Sequence, residues 1–476
     1  MSIVHRLLHK NNSKGKLITV IQFAVSLLIV ILLWDNGMLP GKYIIVIGIT
    51  LLVLFGITFG LQFGHRIARY SGMTVSVILS IILVIGIIYV KKADAVMADI
   101  GGATFKTDNM VVVVEQKNSA TNLYEARDSR FGCQTSLDQE NNQLMLNKVE
   151  SLVGREIKLV EYDTIQEEAQ ALLDGKIEAA IYNEAFTGII EEFIEGYSDQ
   201  VRILYQYGID TEIEQEETDI KAPFHVYISG IDVSGPITTN SRSDVNIIMT
   251  VNPNTKKILL TTTPRDYYVT IPNVSGDARD KLTHAGIYGV DASMGTLEQL
   301  YGIDISYYAR VNFTSLIEIV DALGGVDVES HFAFSAGGYD FTEGTNHLNG
   351  EQALAFSRER HSFVDGDNQR GRNQEAVLTA ILQKAMSPAI LTSANQILAS
   401  VSDCVETNMT QEEMAEFINM QLEEPVKWEI KSVSVGGTGD TQICFSSGSQ
   451  PVYVMWPDDA IVGEISRNMQ QVMEGK

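Results

Sequence analysis

At the start of the chain the hydrophobic positions run together instead of alternating. Leu17–Trp34, Tyr43–Phe63 and Met73–Val90 contain no charged residue. Each run approaches the roughly 20 residues that a helix needs to cross a bilayer. Three membrane spans within 17–92 are predicted, after a tail of residues 1–16; a secretory signal has one short apolar core and a cleavage site, and fits three runs poorly.

Beyond Lys92 the pattern becomes that of a globular protein. After a short linker, "NMVVVVEQ" has the run of valines expected of a buried strand, and Asp138–Leu152 has helical periodicity. "EIKLVEY" is a further strand, and the stretch from Thr164 reads as a helix ending at Gly175 that leads into another strand. This alternation describes a small α/β domain, which with the acidic, solvated linker "IDTEIEQEETDIKAP" spans 93–222. From Phe224 a second pattern begins. "FHVYISGIDVS", "DVNIIMTVNP" and "KKILLTTTPRDYYVTI" are strand-like, with "NPNTKK" as a hairpin connection. Helices are expected at Asp291–Tyr301, Phe313–Leu323, Asn349–Phe356, Asp367–Lys384 and Thr410–Leu422, the last opened by a Thr410/Glu413 capping box. "ISYYARVN" and "GGVDVES" lie between them as strands. The fold class is α/β: a transmembrane region, a small α/β domain, and an α-β-α layered domain with a mixed sheet over 223–423. A C-terminal segment, 424–476, packs on or extends that last domain and ends in an amphipathic stretch, Asp459–Met473.

Charge divides the chain at the same place. Up to Lys92 nine Lys/Arg face the single acid Asp35, a balance of +8, so the remainder carries −33 of the total −25. Arg6, Lys10, Lys14 and Lys16 precede the first run, and Arg66 and Arg69 separate the second from the third. The positive-inside rule then places the N-terminus in the cytoplasm and everything after Lys92 outside, although Lys91 and Lys92 are a mild counter-signal. The acidity disfavours a nucleic-acid partner. Cys133, Cys404 and Cys444 form no CxxC or other metal-ligand spacing. A Cys404–Cys444 bridge is one option in an oxidising exterior, with Cys133 left over.

No GxxxxGK[ST], HExxH or GxSxG motif is present, so nucleotide hydrolysis, zinc proteolysis and serine-esterase chemistry lack their usual handles. What remains is a set of Asp and Arg at turns. Asp232 ends one strand, and Arg242 and Asp244 open the next. Two carboxylates at one sheet edge suit Mg²⁺, although Asp is also common at strand ends as ordinary turn chemistry. Arg265 and Asp266 follow Pro264, which holds its predecessor extended; taken alone they read as a local ion pair. The stretch "SRERHSFVDGDNQRGRNQ" concentrates arginine in an acidic chain. If "AFSRER" is extended, Arg358 and Arg360 project from one face. If Asp367 caps the next helix, Arg370 and Gln374 share a face and Arg372 points elsewhere. Guanidinium forks suit phosphate oxygens, so an oxyanion site is expected here.

The stretches from Ser241 to Val269, Asp280 to Val328 and Leu348 to Leu378 resemble the LytR-CpsA-Psr family, and within it the streptococcal CpsA-type capsule proteins; the likeness covers about Phe224 to Leu422. The resemblance implies a membrane-anchored, extracellular enzyme of a Gram-positive bacterium. Such an enzyme moves capsular polysaccharide from an undecaprenyl-pyrophosphate carrier to peptidoglycan, with Mg²⁺ (or Mn²⁺) assisting and other capsule-assembly proteins as partners. It implies that Asp232 and Asp244 position the metal. Arg242, Arg265, Arg358, Arg360, Arg370 and Gln374 contact the pyrophosphate, with Asp266 supporting Arg265, and catalysis rests on Arg265, Asp244, Asp232, Arg370 and Gln374. Lys281 and His284 fall near the site in "KLTHA". Where relatives carry R-Q-Q, this chain keeps only Gln374, between Asn373 and Glu375. Residues 108–210 resemble an accessory domain like half of a solute-binding protein. The carrier's lipid would lie among runs such as "FTSLIEIVDAL" and "VLTAILQ". A lipid-pyrophosphate hydrolase and a non-catalytic regulator of capsule assembly remain as alternatives for the same site.

Overall fold

The computed structural model describes residues 13–101, 105–212, 219–231, 237, 240–364, 366–386, 405–424 and 426–476. Asp232, Cys404, residues 213–218 of the acidic linker and the first twelve residues lie outside these. By contacts the chain divides into two units, one of residues 1–102, 394–402 and 409–427, the other of 103–393, 403–408 and 428–476.

In the first unit the three apolar runs are helices: α1 (Ser13–Asn36), α2 (Gly41–Leu61) and α3 (Arg66–Ile100). All three are long and apolar enough to cross a membrane. They meet through Ile29, Leu51 and Leu83, and several of their polar groups turn inward, where Thr58 Oγ1 donates to Gln22 Oε1 at 2.9 Å. The inward turn gives these groups partners that hydrocarbon does not offer, while the exposed Thr50 hydroxyl donates to the Val46 carbonyl of its own helix at 2.8 Å. Side chains such as Ile21, Ile45, Val53 and Ile81 are exposed, an outer surface that suits lipid. Helix α12 (Gln411–Glu423), whose Thr410/Glu413 capping box forms, belongs to this unit; its Asn419 Nδ2 donates to the Gly37 carbonyl at 2.8 Å.

The second unit contains two mixed sheets. The first runs β3-β2-β4-β1-β5, from β1 (Phe105–Glu115), β2 (Arg130–Gln134), β3 (Lys158–Tyr162), β4 (Ala179–Asn183) and β5 (Val201–Glu212). The four valines of β1 are all buried, as a central strand covered on both faces demands. Helices α4 (Gln139–Val153) and α5 (Ile165–Leu173) pack on this sheet. Strand β5 absorbs Asp210–Glu212, so the acidic linker starts later than its composition suggested.

The second sheet has six strands in the order β16-β11-β6-β7-β8-β17. Strands β6 (Phe224–Ile231), β7 (Ser243–Asn252) and β8 (Lys257–Thr262) form an antiparallel meander, with "NPNTKK" as the expected hairpin pairing Asn252 with Lys257. Parallel neighbours β11 (Tyr307–Asn312) and β17 (Glu429–Ser434) flank it, and β16 (Val405–Thr407) closes one edge. Tyr227, Ile248 and Leu259 pack against α8 (Val290–Tyr301) and the C-terminal α13 (Asp459–Met473). Strand side chains alternate, so Thr262 faces the other way, where α11 (Asp367–Ala385) lies against it at Gly371. The result is an α-β-α sandwich, the fold class expected from the sequence. One local expectation fails. "AFSRER" is not extended: α10 (Gly350–Arg358) continues through Arg358, started by an Asn349/Gln352 capping box that fixes the helical register.

Candidate anion site

The meander ends where the chemistry gathers. Thr262 ends β8, Thr263 and Pro264 follow, and the amide of Thr283 donates to the Arg265 carbonyl at 2.8 Å. The amide of Leu282 likewise reaches the Tyr267 carbonyl at 2.9 Å, and the short strands β9 (Tyr268–Val269) and β10 (Asp280–Lys281) pair beside it. These backbone bonds carry Lys281 and His284, at the start and within α7 (Leu282–Ala285), to the flank of Arg265.

The side chains then form an alternating file of charge. Arg265 Nη1 lies 3.0 Å from Asp244 Oδ2, and its Nε lies 3.8 Å from Asp266 Oδ2, the supporting contact expected of Asp266. Thr283 Oγ1 donates to the other Asp244 oxygen at 3.1 Å. Lys281 Nζ is 3.8 Å from Asp266 Oδ1 and 3.1 Å from Glu192 Oε2, and Arg242 Nη1 is 3.0 Å from Glu192 Oε1. From the opposite layer α11 adds Arg370 and Gln374, one turn apart, which line a pocket with Asp244, Thr262, Arg265 and Ser434. A Cβ at position 371 would meet Thr262 Cγ2 at 3.1 Å, so glycine there lets the helix approach the strand end.

The structure thus brings together Asp244, Arg265, Arg370 and Gln374, with Arg242 joined to them through Glu192, Lys281 and Asp266. It does not bring Arg358 and Arg360 to that pocket. Both are exposed; Arg358 lines a separate cavity with Tyr339, Glu351 and Glu359, and Arg360 Nε donates to His361 at 3.3 Å. Helix α10 is the cause, since it removes the extended spacing that would have aligned the two. Arg372 points away, as expected, and donates to Gln369 at 2.8 Å. Asp367 is the first helical residue; Gly366 precedes it in the cap position without a side-chain cap bond.

One residue at the site, Glu192, had no signal in the sequence, and the buried His284 and Glu375 had one only in the family likeness. Glu192 comes from α6 (Thr187–Phe193), which follows β4 of the five-stranded sheet, and belongs to no motif. Burial pushes its carboxyl up, but His284 and Lys281 outweigh that and hold it down at about 2. His284 is fully buried, with Nδ1 2.7 Å from Asp280 and Nε2 3.8 Å from Glu192. Burial disfavours its charged form; the Asp280 and Glu192 carboxylates reverse this and raise its pKa. Glu375 is buried beside Thr262 and Ser434, and burial raises its carboxyl to about 7. Among the described residues no three His, Cys, Asp or Glu side chains converge on a metal position. Asp244 supplies one hard carboxylate; its expected companion Asp232 lies outside the described residues. Cys444 and Cys133 are buried, and burial pushes the Cys444 thiol up to about 12; the expected bridge falls on Cys404, outside the described residues.

A profile of the LytR_cpsA_psr family matches residues 191–463, more than half of the chain. The chain belongs to the LytR_cpsA_psr family. Among curated relatives, a polyisoprenyl-teichoic acid–peptidoglycan teichoic acid transferase TagU of Enterococcus faecalis is 39% identical to this LytR_cpsA_psr protein over 196 residues, 41% of this chain and 64% of that relative. The enzyme of the same description from Bacillus mycoides is 36% identical over 203 residues, 42% of this chain and 66% of its own length. The chain therefore spans less than two thirds of the length of these relatives. Among solved structures, B. subtilis TagU is 30% identical with a TM-score of 0.43, covering 54% of this chain and 99% of that one. TagT bound to LIIa-WTA is 28% identical with a TM-score of 0.43, covering 54% and 94%.

Proposed function

We propose that this LytR_cpsA_psr protein transfers a glycopolymer, most specifically a capsular polysaccharide, from an undecaprenyl-diphosphate carrier to peptidoglycan on the outer face of the membrane. The observation that carries this reading is the convergence of Arg265 and Asp244 from the sheet with Arg370 and Gln374 from α11 in one pocket. Two guanidinium forks from opposite layers fit the oxygens of a diphosphate. The relatives' names support the reaction class and name teichoic acid as the polymer they carry. The half-buried apolar side chains Leu316, Ile317 and Ile319 on α9 (Phe313–Ala322), and Leu378, Ile381 and Leu382 on α11, offer a surface for a prenyl chain. The three apolar helices support membrane anchoring, and the charge pattern supports a cytoplasmic N-terminus.

In this reading Arg265 and Arg370 bind the two phosphates and hold them against the field of the acidic surface. A sugar hydroxyl of peptidoglycan attacks the phosphorus nearer the polymer, a new P–O bond forms, and the bridging P–O bond breaks. The lipid leaves as its monophosphate and the hydroxyl proton passes to the medium. The guanidinium groups stabilise the charge that grows on the departing phosphate, aimed beforehand by Asp244 and Asp266. Asp244, with Asp232, would hold Mg²⁺ or Mn²⁺, which would supply further charge neutralisation.

The test uses the purified full chain in detergent with Mg²⁺, a lipid-diphosphate oligosaccharide and peptidoglycan. Appearance of lipid monophosphate together with wall-linked sugar, both lost on Arg265→Ala, supports transfer. Release of free polymer without attachment points to a hydrolase, and no turnover, with Arg265→Ala indistinguishable from wild type, to a regulator. Capsular and teichoic-acid oligosaccharides offered in parallel decide the polymer.

A further inference from the structure

The anion site is built from the C-terminal domain, yet one of its carboxylates comes from the accessory domain. Glu192 on α6 divides its two oxygens between its cations, Oε1 to Arg242 at 3.0 Å, with His284 Nε2 farther off at 3.8 Å, and Oε2 to Lys281 at 3.1 Å. That is the arrangement two oxygens of a phosphate would adopt. Lys281 is only 8% exposed, and its other carboxylate, Asp266, stands farther off at 3.8 Å and is shared with Arg265. A buried ammonium without a close anion is costly, so an empty site needs a substitute.

The surroundings fix the helix but not the side chain. Phe186, Ile189 and Ile190 of the accessory domain pack with Ile287, Tyr288 and Phe445 of the C-terminal domain in one apolar cluster. Gln166 Nε2 also donates to the Ser446 carbonyl at 3.1 Å, and Lys106 pairs with Asp291 at 3.0 Å. The Glu192 side chain itself is 24% exposed and Arg242 is 25% exposed, so a turn about its own bonds can carry the carboxylate into water while α6 stays docked.

We infer that Glu192 is a built-in competitor for the substrate: it occupies the Arg242 and Lys281 half of the anion site until a diphosphate displaces it. The inference rests on the diphosphate reading of that site. A diphosphate brings more negative charge than one carboxylate and so replaces it in the field of two cations. The accessory domain thereby sets the concentration of carrier at which the site loads.

The experiment measures binding of inorganic pyrophosphate and of geranyl diphosphate to the full chain in detergent by calorimetry, with Arg265→Ala as the control for the site. Glu192→Gln should bind both probes about tenfold more tightly, the scale of removing one partly exposed charge pair. Glu192→Asp, which keeps the charge but shortens its reach, should also bind more tightly and serves if the glutamine variant does not fold. Unchanged or weaker binding by the folded variants overturns the inference, because Glu192 would then be positioning its cations. Failure of wild type and of every variant to bind either probe overturns the diphosphate reading, and the competitor with it. Tight wild-type binding with no gain in the variants leaves that reading standing and removes the competitor alone.

Discussion

At the scale of single residues, the site separates arginines that the sequence could only group. Arg265→Ala and Arg370→Ala should each lower turnover by at least about 100-fold, the scale of losing one charge-stabilising donor. Arg360→Ala should stay within about threefold of wild type, because its guanidinium lies outside the pocket against His361. Comparing the three initial rates checks the division. Glu375 makes a prediction about pH. Burial raises its folded-state pKa to about 7 from an ordinary 4.5. Folding therefore favours its protonated form: the contribution is harmless below about pH 4.5 and destabilising once pH has risen through 7. Glu375→Gln should match wild type near pH 5 and be more stable at pH 8, by up to about 3 kcal/mol, read from unfolding midpoints at the two pH values. A result with the opposite sign would mean that the Thr262 and Ser434 hydrogen bonds outweigh burial.

At the scale of elements, most of the architecture was written in periodicity and caps. The run of valines in β1, the "NPNTKK" hairpin and the Thr410/Glu413 box each specify local geometry through nearest neighbours, and each forms. Asn349→Ala should lower stability by about 1 kcal/mol through loss of the cap on α10. Gly350→Ala should cost more, since its Cβ would overlap the carbonyl oxygen of Ile317 in the neighbouring helix; thermal unfolding of the two variants ranks them. The same helix shows why "AFSRER" misled. Arg358 and Arg360 are two apart in either conformation, and only the capping box eight residues upstream of Ser357, together with burial of Phe356, makes the segment helical. Arg370 and Gln374 were legible because a helical spacing and a helix coincided. Glu192 was not, because its partners lie 50 and more residues away along the chain, a distance over which sequence spacing says nothing about contact.

At the scale of the whole molecule, the charge asymmetry has a direct test. In a background without the three natural cysteines, Asp35→Cys should react with an impermeant maleimide added outside intact cells, whereas His65→Cys should react only after permeabilisation. Asp35, in the last turn of α1, and His65, just before α3, are both exposed, so accessibility to reagent reports sidedness. The apolar cluster that includes Ile287, Tyr288 and Phe445 carries a consequence for how this protein can be divided. Those side chains are sealed by Phe186, Ile189 and Ile190, so the layer around the five-stranded sheet acts as a wall of the core beside it. A chain begun at Phe224 would present that wall's footprint to water as a sticky face, and should self-associate and elute in the void volume on size exclusion. A version of this chain begun at Phe224 would need polar residues on this face before the remainder could stand alone.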